Sequence, residues 1–564
     1  MDRPGTAARP LRVTARLTVA LAVAGATALG GAPGTASAAP LQTVVVTGAG
    51  DVAAAVRSVG GKVLDRLPLI GGVSARVPAD AQLPAPFRVV PNRAVQVAGE
   101  HAAGGPASTV RGTLGLGAPA GEGAGVTVAV VDTGVSDVPD LAGRLTHVDV
   151  TGEGTGDGYG HGTFVAGLVA GDGSASGGAY AGVAPGADVL DVRVARADGS
   201  SDLVTVLAGL QAVADRPEVD VVNLSLSSGS PLPYQLDPLT LALETLWSRG
   251  MTVVVPSGND GAEGRGSVTS PGIDPVLLTV GGLEESGTAD RADDAVAPWS
   301  GQGPAPQGVQ KPDLVAPGSH VVSTAAVGSA VWDANPGSQV AGAYMKGSGS
   351  SFSTAVTSGA AAVLLAARDL EPDQVKRVLT RSAYELDASR QLAGSGGLDL
   401  AAALTTGAKG AQRNAAAFPG DPAWMDLVWA LLDGDEETAE AAWKALSPEA
   451  RQWAARQWAA GAWGARQWAD IEWGEIAPDA RQWAARQWSD EDWDARQWAA
   501  RQWSARQWSA RQWSARQWSA RQWSARQWSE EEWSARQWSA RQWSARQWTA
   551  RQWTARQWTA TDWA

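Results

Sequence analysis

Between residues 106 and 407, short Val-rich apolar runs alternate with longer amphipathic ones. Residues 126–131, 189–194, 219–225 and 252–255 are bounded by Gly or polar residues, as strands buried on both faces of a parallel sheet would be. Residues 203–214 carry the spacing of an amphipathic helix. Asp237-Pro238 opens another, an N-cap followed by Pro at the first helical position, and Gly250 closes it. Apolar helical runs also follow at 163–170 and 352–368. Repeated βα units predict an α/β fold with a doubly wound parallel sheet and flanking helices. Functional residues in such folds lie at the carboxyl ends of the strands.

The pattern changes on both sides of that block. Residues 39–105 predict a small α/β unit, with a β-branched run at 41–47 and a helix over 51–59 that Asp51 caps and Gly60-Gly61 stops. Further strands are expected at 62–67 and 73–77. Its position ahead of the first candidate catalytic residue is that of an inhibitory prosegment, and the Gly- and Ala-rich stretch 99–125 is an accessible place to cut. An ordinary subdomain that stays attached fits the same pattern. Residues 408–450 read as a Pro-, Ala- and acid-rich linker with a helix around 421–446. From 451 to 564 the pentapeptide Ala-Arg-Gln-Trp-Ser recurs, with Trp at every fifth position from Trp453 to Trp563 except Pro478. Five residues turn a helix by about 140°, scattering Trp round it, and on a strand they alternate faces. The repeat suits neither element and reads as a low-complexity tail.

Composition indicates where the chain goes. Arg3, Arg9, Arg12 and Arg16 precede an apolar run at 17–29, and Ala36-Ser37-Ala38 offers a signal-peptidase site, so residues 1–38 read as a signal peptide and the protein as secreted. That run is shorter than the roughly 20 residues that cross a bilayer, and no later stretch reads as a span. The 564 residues contain no Cys, which excludes disulfides and thiolate metal sites. Net charge is −13; the tail from 451 holds 17 Arg against 12 Asp plus Glu, or +5, leaving −18 on the rest. The acidic body offers no basic patch for nucleic acid. The Trp- and Arg-rich tail has the chemistry to stack on cell-wall sugars or to settle at a membrane surface.

Four short segments carry candidate chemistry. Asp132 follows a predicted strand, where a buried carboxylate can orient a histidine; a turn aspartate is the plain alternative. Asp-Thr-Gly also occurs in aspartic peptidases, which need two copies, and this chain has one. His161, between two glycines at the start of a helical run, has the setting of a catalytic base, whereas His101, His147 and His320 lack it. Ser351 precedes the run 352–368, where a helix N-terminus favours developing negative charge; Ser348, Ser350 and Ser353 are rival caps. Asn259 lies in a Ser-Gly-Asn-Asp-Gly turn after a strand and can donate to an oxyanion.

With these segments the chain resembles the subtilisin family of serine peptidases over residues 126–400. The matching motifs are Val131-Asp132-Thr133-Gly134-Val135, the segment 160–167 around His161, Gly182-Val183-Ala184-Pro185-Gly186-Ala187, Val222-Asn223-Leu224-Ser225-Leu226, Val254-Val255-Pro256-Ser257-Gly258-Asn259, and the segment 311–318. The resemblance implies an Asp132–His161–Ser351 triad with Asn259 at the oxyanion. It implies a substrate cleft along Ser225, Leu226, Ser227, Ser257 and Gly258, protein or peptide substrates, and endopeptidase chemistry. No cofactor is required. Calcium is frequent in the family as a structural ion, with Asp137, Asp140 and the Asp172 loop as candidate ligands here, though solvated turns explain them equally. Two departures stand out. Gly349-Ser350-Ser351-Phe352-Ser353-Thr354-Ala355 has Phe where the family has Met and lacks its Pro, and Ser227-Ser228 replaces a glycine. No Asp or Glu stands at Ser227-Ser228, so the pocket beside the scissile bond is expected to be apolar. An idle protease scaffold serving as a binding protein through its tail is the competing class, against which the intact residue set argues.

Overall fold

The structure, a computed structural model, describes residues 40–97 and 109–409 apart from 49, 85–86, 231, 233, 235–236, 306–308 and 341, together with residues 427 and 436–446. The expected signal peptide and Trp repeat tail lie outside the described residues.

The N-terminal unit is a four-stranded antiparallel sheet of β1 (Leu41–Thr47), β2 (Lys62–Leu67), β3 (Gly72–Pro78) and β4 (Arg88–Pro91), in the order β2-β3-β1-β4. One helix, α1 (Val52–Ser58), covers it. Asp51 caps that helix through the Ala54 N–H at 2.9 Å, as the sequence suggests. Val44, Val46, Val73, Ala75 and Val77 alternate along the strands, so their side chains fall on one face, where Val52 and Val56 meet them.

The chain then leaves through β5 (Ala94–Val97) and enters the main domain. There β6 (Thr127–Asp132) lies between β8 (Asp188–Arg193) and β10 (Val219–Leu224), with β7 (Leu145–Asp149) beyond β8. On the other side follow β12 (Thr252–Pro256), β13 (Leu278–Glu284) and the short β14 (Ala295–Val296), and β15 (Leu314–Pro317) pairs with β13. The pairings are parallel except β13 with β14. β9 (Ser201–Asp202) and β11 (Leu226–Ser227) flank β5 in a separate three-stranded sheet, and β16 (Val321–Thr324), β17 (Gln339–Val340) and β18 (Tyr344–Gly347) form another. The Val-rich strands are buried along nearly their whole length, as the uninterrupted apolar runs require.

Four helices position the chemistry: α2 (His161–Ala170), α3 (Leu203–Ala214), α4 (Pro238–Ser248) and α5 (Ser350–Ala367). By length and composition α5 could cross a membrane, which the sequence reading passed over. It is 83% buried, and it runs through the protein core. The connector is more than a linker: α6 (Glu436–Ala445) buries Ala439, Ala442 and Trp443 in the main core, beside Leu446 and Leu427.

Candidate active site

Asp132 is the last residue of β6 rather than the first after it, and it is fully buried. Its Oδ1 lies 2.7 Å from His161 Nδ1 and also accepts the Thr133 N–H at 2.8 Å. A carboxylate on Nδ1 holds the proton there and leaves Nε2 as the basic nitrogen.

The helix that carries His161 starts on Gly160, whose φ of +108° suits glycine. An added Cβ there would sit 2.3 Å from Ser329 Oγ. Glycine cannot cap a helix with a side chain, so the first-turn N–H groups need other acceptors. Asp157 accepts from Gly160 N–H at 2.6 Å and from Thr163 N–H at 2.8 Å, and Thr133 Oγ1 accepts from Gly162 N–H at 2.9 Å. The hydroxyls of Thr133 and Thr163 both donate to Asp157 at 2.8 Å. Burial pushes the Asp157 carboxyl above its ordinary range while these donors pull it down. The sequence alone does not single out Asp157 or Thr133 as supports of His161. Their signals were an acid four residues ahead of His161 and a hydroxyl next to Asp132.

Ser351 stands in the first turn of α5, which begins at Ser350, two positions earlier than the sequence suggests. Its hydroxyl donates to the Ser225 carbonyl at 3.1 Å. His161 Nε2 has no hydrogen-bond partner among the described residues. Ser225 Oγ accepts from Asn223 Nδ2 at 2.8 Å and donates to the Ser351 carbonyl at 3.2 Å, while Ser358 Oγ donates to Asn223 Oδ1 at 2.9 Å. These bonds stitch the end of β10 to α5. Phe352, next to Ser351, stacks its ring on His161 at 5.5 Å between centroids and meets Phe164 at 4.5 Å.

Asn259 reaches the same helix start. Its Oδ1 accepts the Ser350 N–H at 2.9 Å, so the amide NH₂ is the end that can donate to an oxyanion. The turn before it requires glycine, because Gly258 has φ +93° and an added Cβ would lie 2.7 Å from Thr269 Oγ1. Ser257 is buried, and its hydroxyl contacts the Gly258 carbonyl and accepts the Gly301 N–H.

β11, which carries Leu226 and Ser227, is paired with β5. Leu226 faces Val97 and Ser227 faces Gln96 in antiparallel register, while Ala94 and Val95 pair with Asp202 and Ser201. β5 therefore lies between β9 and β11, antiparallel to both. Near Ser228 the structure also places an acid, Asp237, which the local sequence does not reveal.

His147 has a partner that its sequence context hides. Its Nδ1 lies 2.8 Å from the buried Asp191, and Asp137 stands 3.7 Å from Nε2. The hydrogen bond to Asp191 raises the His147 pKa, and burial pushes Asp191 up to about 6. The candidate calcium ligands already have partners within the protein. Asp140 accepts the Tyr344 hydroxyl at 2.6 Å and the Ala175 N–H at 2.9 Å, Asp137 faces His147, and Asp172 accepts the Ser174 N–H. Among the described residues no group of three or more His, Cys, Asp or Glu is placed to hold a metal ion.

Serine protease AprX of Bacillus subtilis is 38% identical over 270 residues, which cover 46% of this chain and 61% of AprX. Subtilisin Savinase of Lederbergia lenta is 35% identical over 243 residues, 43% of this chain and 77% of that protein. The crystal structure of fervidolysin from Fervidobacterium pennivorans, a keratinolytic enzyme related to subtilisin, superposes with a TM-score of 0.53 over 66% of this chain and 62% of that one; at 23% identity it shows the fold alone. The family model described as the subtilase family matches residues 123–412, just over half of the sequence. The chain belongs to the subtilase family.

Proposed function

We propose that the protein is a secreted serine endopeptidase that carries its own inhibitor and removes it. The 2.7 Å bond between Asp132 and His161, with Ser351 at the adjoining helix start, is the observation that carries this reading. Ser351 Oγ attacks the substrate carbonyl carbon as its proton passes to His161 Nε2, and Asp132 stabilises the imidazolium. The Asn259 amide, with a backbone N–H, donates to the oxyanion; losing one such donor costs about 10²- to 10³-fold in kcat. His161 then gives the proton to the leaving amine, and water releases the acyl group by the reverse sequence. Ser225, Leu226 and Ser227 line the cleft, with Ser257 and Gly258 behind the oxyanion turn.

The antiparallel pairing of Val97 with Leu226 supports a self-inhibited precursor. Ser225, the residue before Leu226, holds the Ser351 hydroxyl through its carbonyl, so the cut is expected just beyond Val97. The bond first cut is then Ala98–Gly99, ahead of the boundary near 106 that composition suggests. The leader 1–38 directs export. Residues 451–564 attach the enzyme to cell-wall polymer or a membrane surface, and binding to insoluble wall but not to anionic vesicles separates the two. Hydrolysis of casein by wild type and by Ser351→Ala tests the catalytic reading: only wild type should act, and activity in the variant would remove the assignment.

A further inference from the structure

Arg93, the residue before β5, reaches into the main domain. Its Nη2 donates to both oxygens of Asp237, at 2.6 and 2.7 Å, and contacts Ser228 Oγ at 3.4 Å. Asp237 is fully buried, and the Arg93 side chain is 15% exposed. The carboxylate is held by the fold independently of Arg93. Its Oδ1 caps α4 through the Leu239 N–H at 3.0 Å, and its Oδ2 accepts the Ser270 hydroxyl at 3.1 Å. The main chain around Arg93 is held as well: its carbonyl accepts the Leu203 N–H at 2.9 Å, and the Asn92 side chain accepts the Val204 N–H at 3.0 Å, both at the start of α3.

A buried acid is therefore fixed at the start of α4 next to the cleft, and the cation it holds belongs to the segment that the precursor loses. Loss of residues 39–98 leaves that carboxylate without its partner, an unfavourable state that any arriving cation relieves. Resting on the reading of β5 as a substrate-like occupant, we infer that Asp237, with Ser228 and Ser270, forms a specificity site for a basic substrate side chain. That side chain is on the sixth residue before the scissile bond, where Arg93 stands when Ala98–Gly99 is cut. The acid adds a second determinant to the apolar preference expected beside the scissile bond. One guanidinium nitrogen makes the contact, so a Lys ammonium should serve in part. Citrulline has the shape of Arg without its charge and should not.

The test uses the processed enzyme and quenched fluorescent peptides of sequence Asn-Arg-Ala-Val-Gln-Val-Ala-Gly-Glu, with Arg, Lys, citrulline or Ala in second place. The expected order of kcat/KM is Arg, then Lys, then citrulline and Ala together, with Arg above Ala by about 10-fold or more. Asp237→Asn should bring the Arg-to-citrulline ratio near one, and because that ratio is internal to one enzyme it does not depend on how much of the variant folds. Equal rates on all four peptides would overturn the site and leave the peptidase standing. No hydrolysis of any of them would overturn both.

Discussion

The hydroxyl of Ser351 donates to the Ser225 carbonyl at 3.1 Å, while His161 Nε2 has no hydrogen-bond partner among the described residues. Attack requires that hydroxyl to turn from the carbonyl to the imidazole. Asp132, His161 and Ser351 are all buried, and β5 pairs with Leu226 and Ser227. A fluorophosphonate probe should therefore label only the shortened species on a gel, with the full-length precursor unlabelled. Equal labelling of both would mean that β5 does not close the site.

Asp157 holds the start of the His161 helix and touches neither Asp132 nor His161 through a hydrogen bond. Asp157→Ala strands the N–H groups of Gly160 and Thr163, which costs about 2–4 kcal/mol. The apparent Tm should fall by roughly 5–15 °C, and kcat should drop about 10-fold or more as the imidazole loses its support. An unchanged kcat in the folded fraction would show that His161 needs no such brace.

Phe352 separates the histidine from the second aromatic ring, Phe164. Phe352→Leu keeps the site apolar and removes the stacking face. The expected result is a fall in kcat of roughly 5- to 50-fold with KM within about twofold. A change confined to KM would make Phe352 part of the substrate pocket instead.

Glu244 on α4 and Asp274 ahead of β13 are buried carboxyls that face each other. Burial first, then the neighbouring acid, keeps Glu244 well above its ordinary value, and burial lifts Asp274 to about 6. The folded state therefore holds protons that the unfolded chain releases. Their stabilising effect is full below the unfolded values near 4 and declines as pH rises through the folded ones. Glu244→Gln keeps a donor toward Asp274 without titrating. Between pH 6 and pH 9 wild type should lose roughly 3–8 °C more in apparent Tm than the variant. Parallel curves would show that the pair carries no pH dependence.

Much of this was legible in the sequence because it is local. The runs at 126–131 and 252–255 lie within one residue of β6 and β12, and Asp237-Pro238 and Asp51 cap the helices expected of them. Weaker patterns were not legible. β7 mixes polar and apolar residues, and the Gly-Gly pair at 281–282 disguises β13. At the site, Asp132, His161, Asn259 and Ser351 stood out because each has a distinctive turn or helix start around it. Asp157, Asn223 and Asp237 did not, because their partners are brought to them only by the fold: Asp157 meets Thr133 across 24 positions, and Asp237 meets Arg93 across 144.

Intact mass of the secreted protein, wild type beside Ser351→Ala, tests the central claim most directly. The account expects wild type to begin at Gly99 and the variant to retain the segment from residue 39 to Ala98. Identical masses for the two would contradict it, because the triad would then not be what removes the segment lying in the cleft.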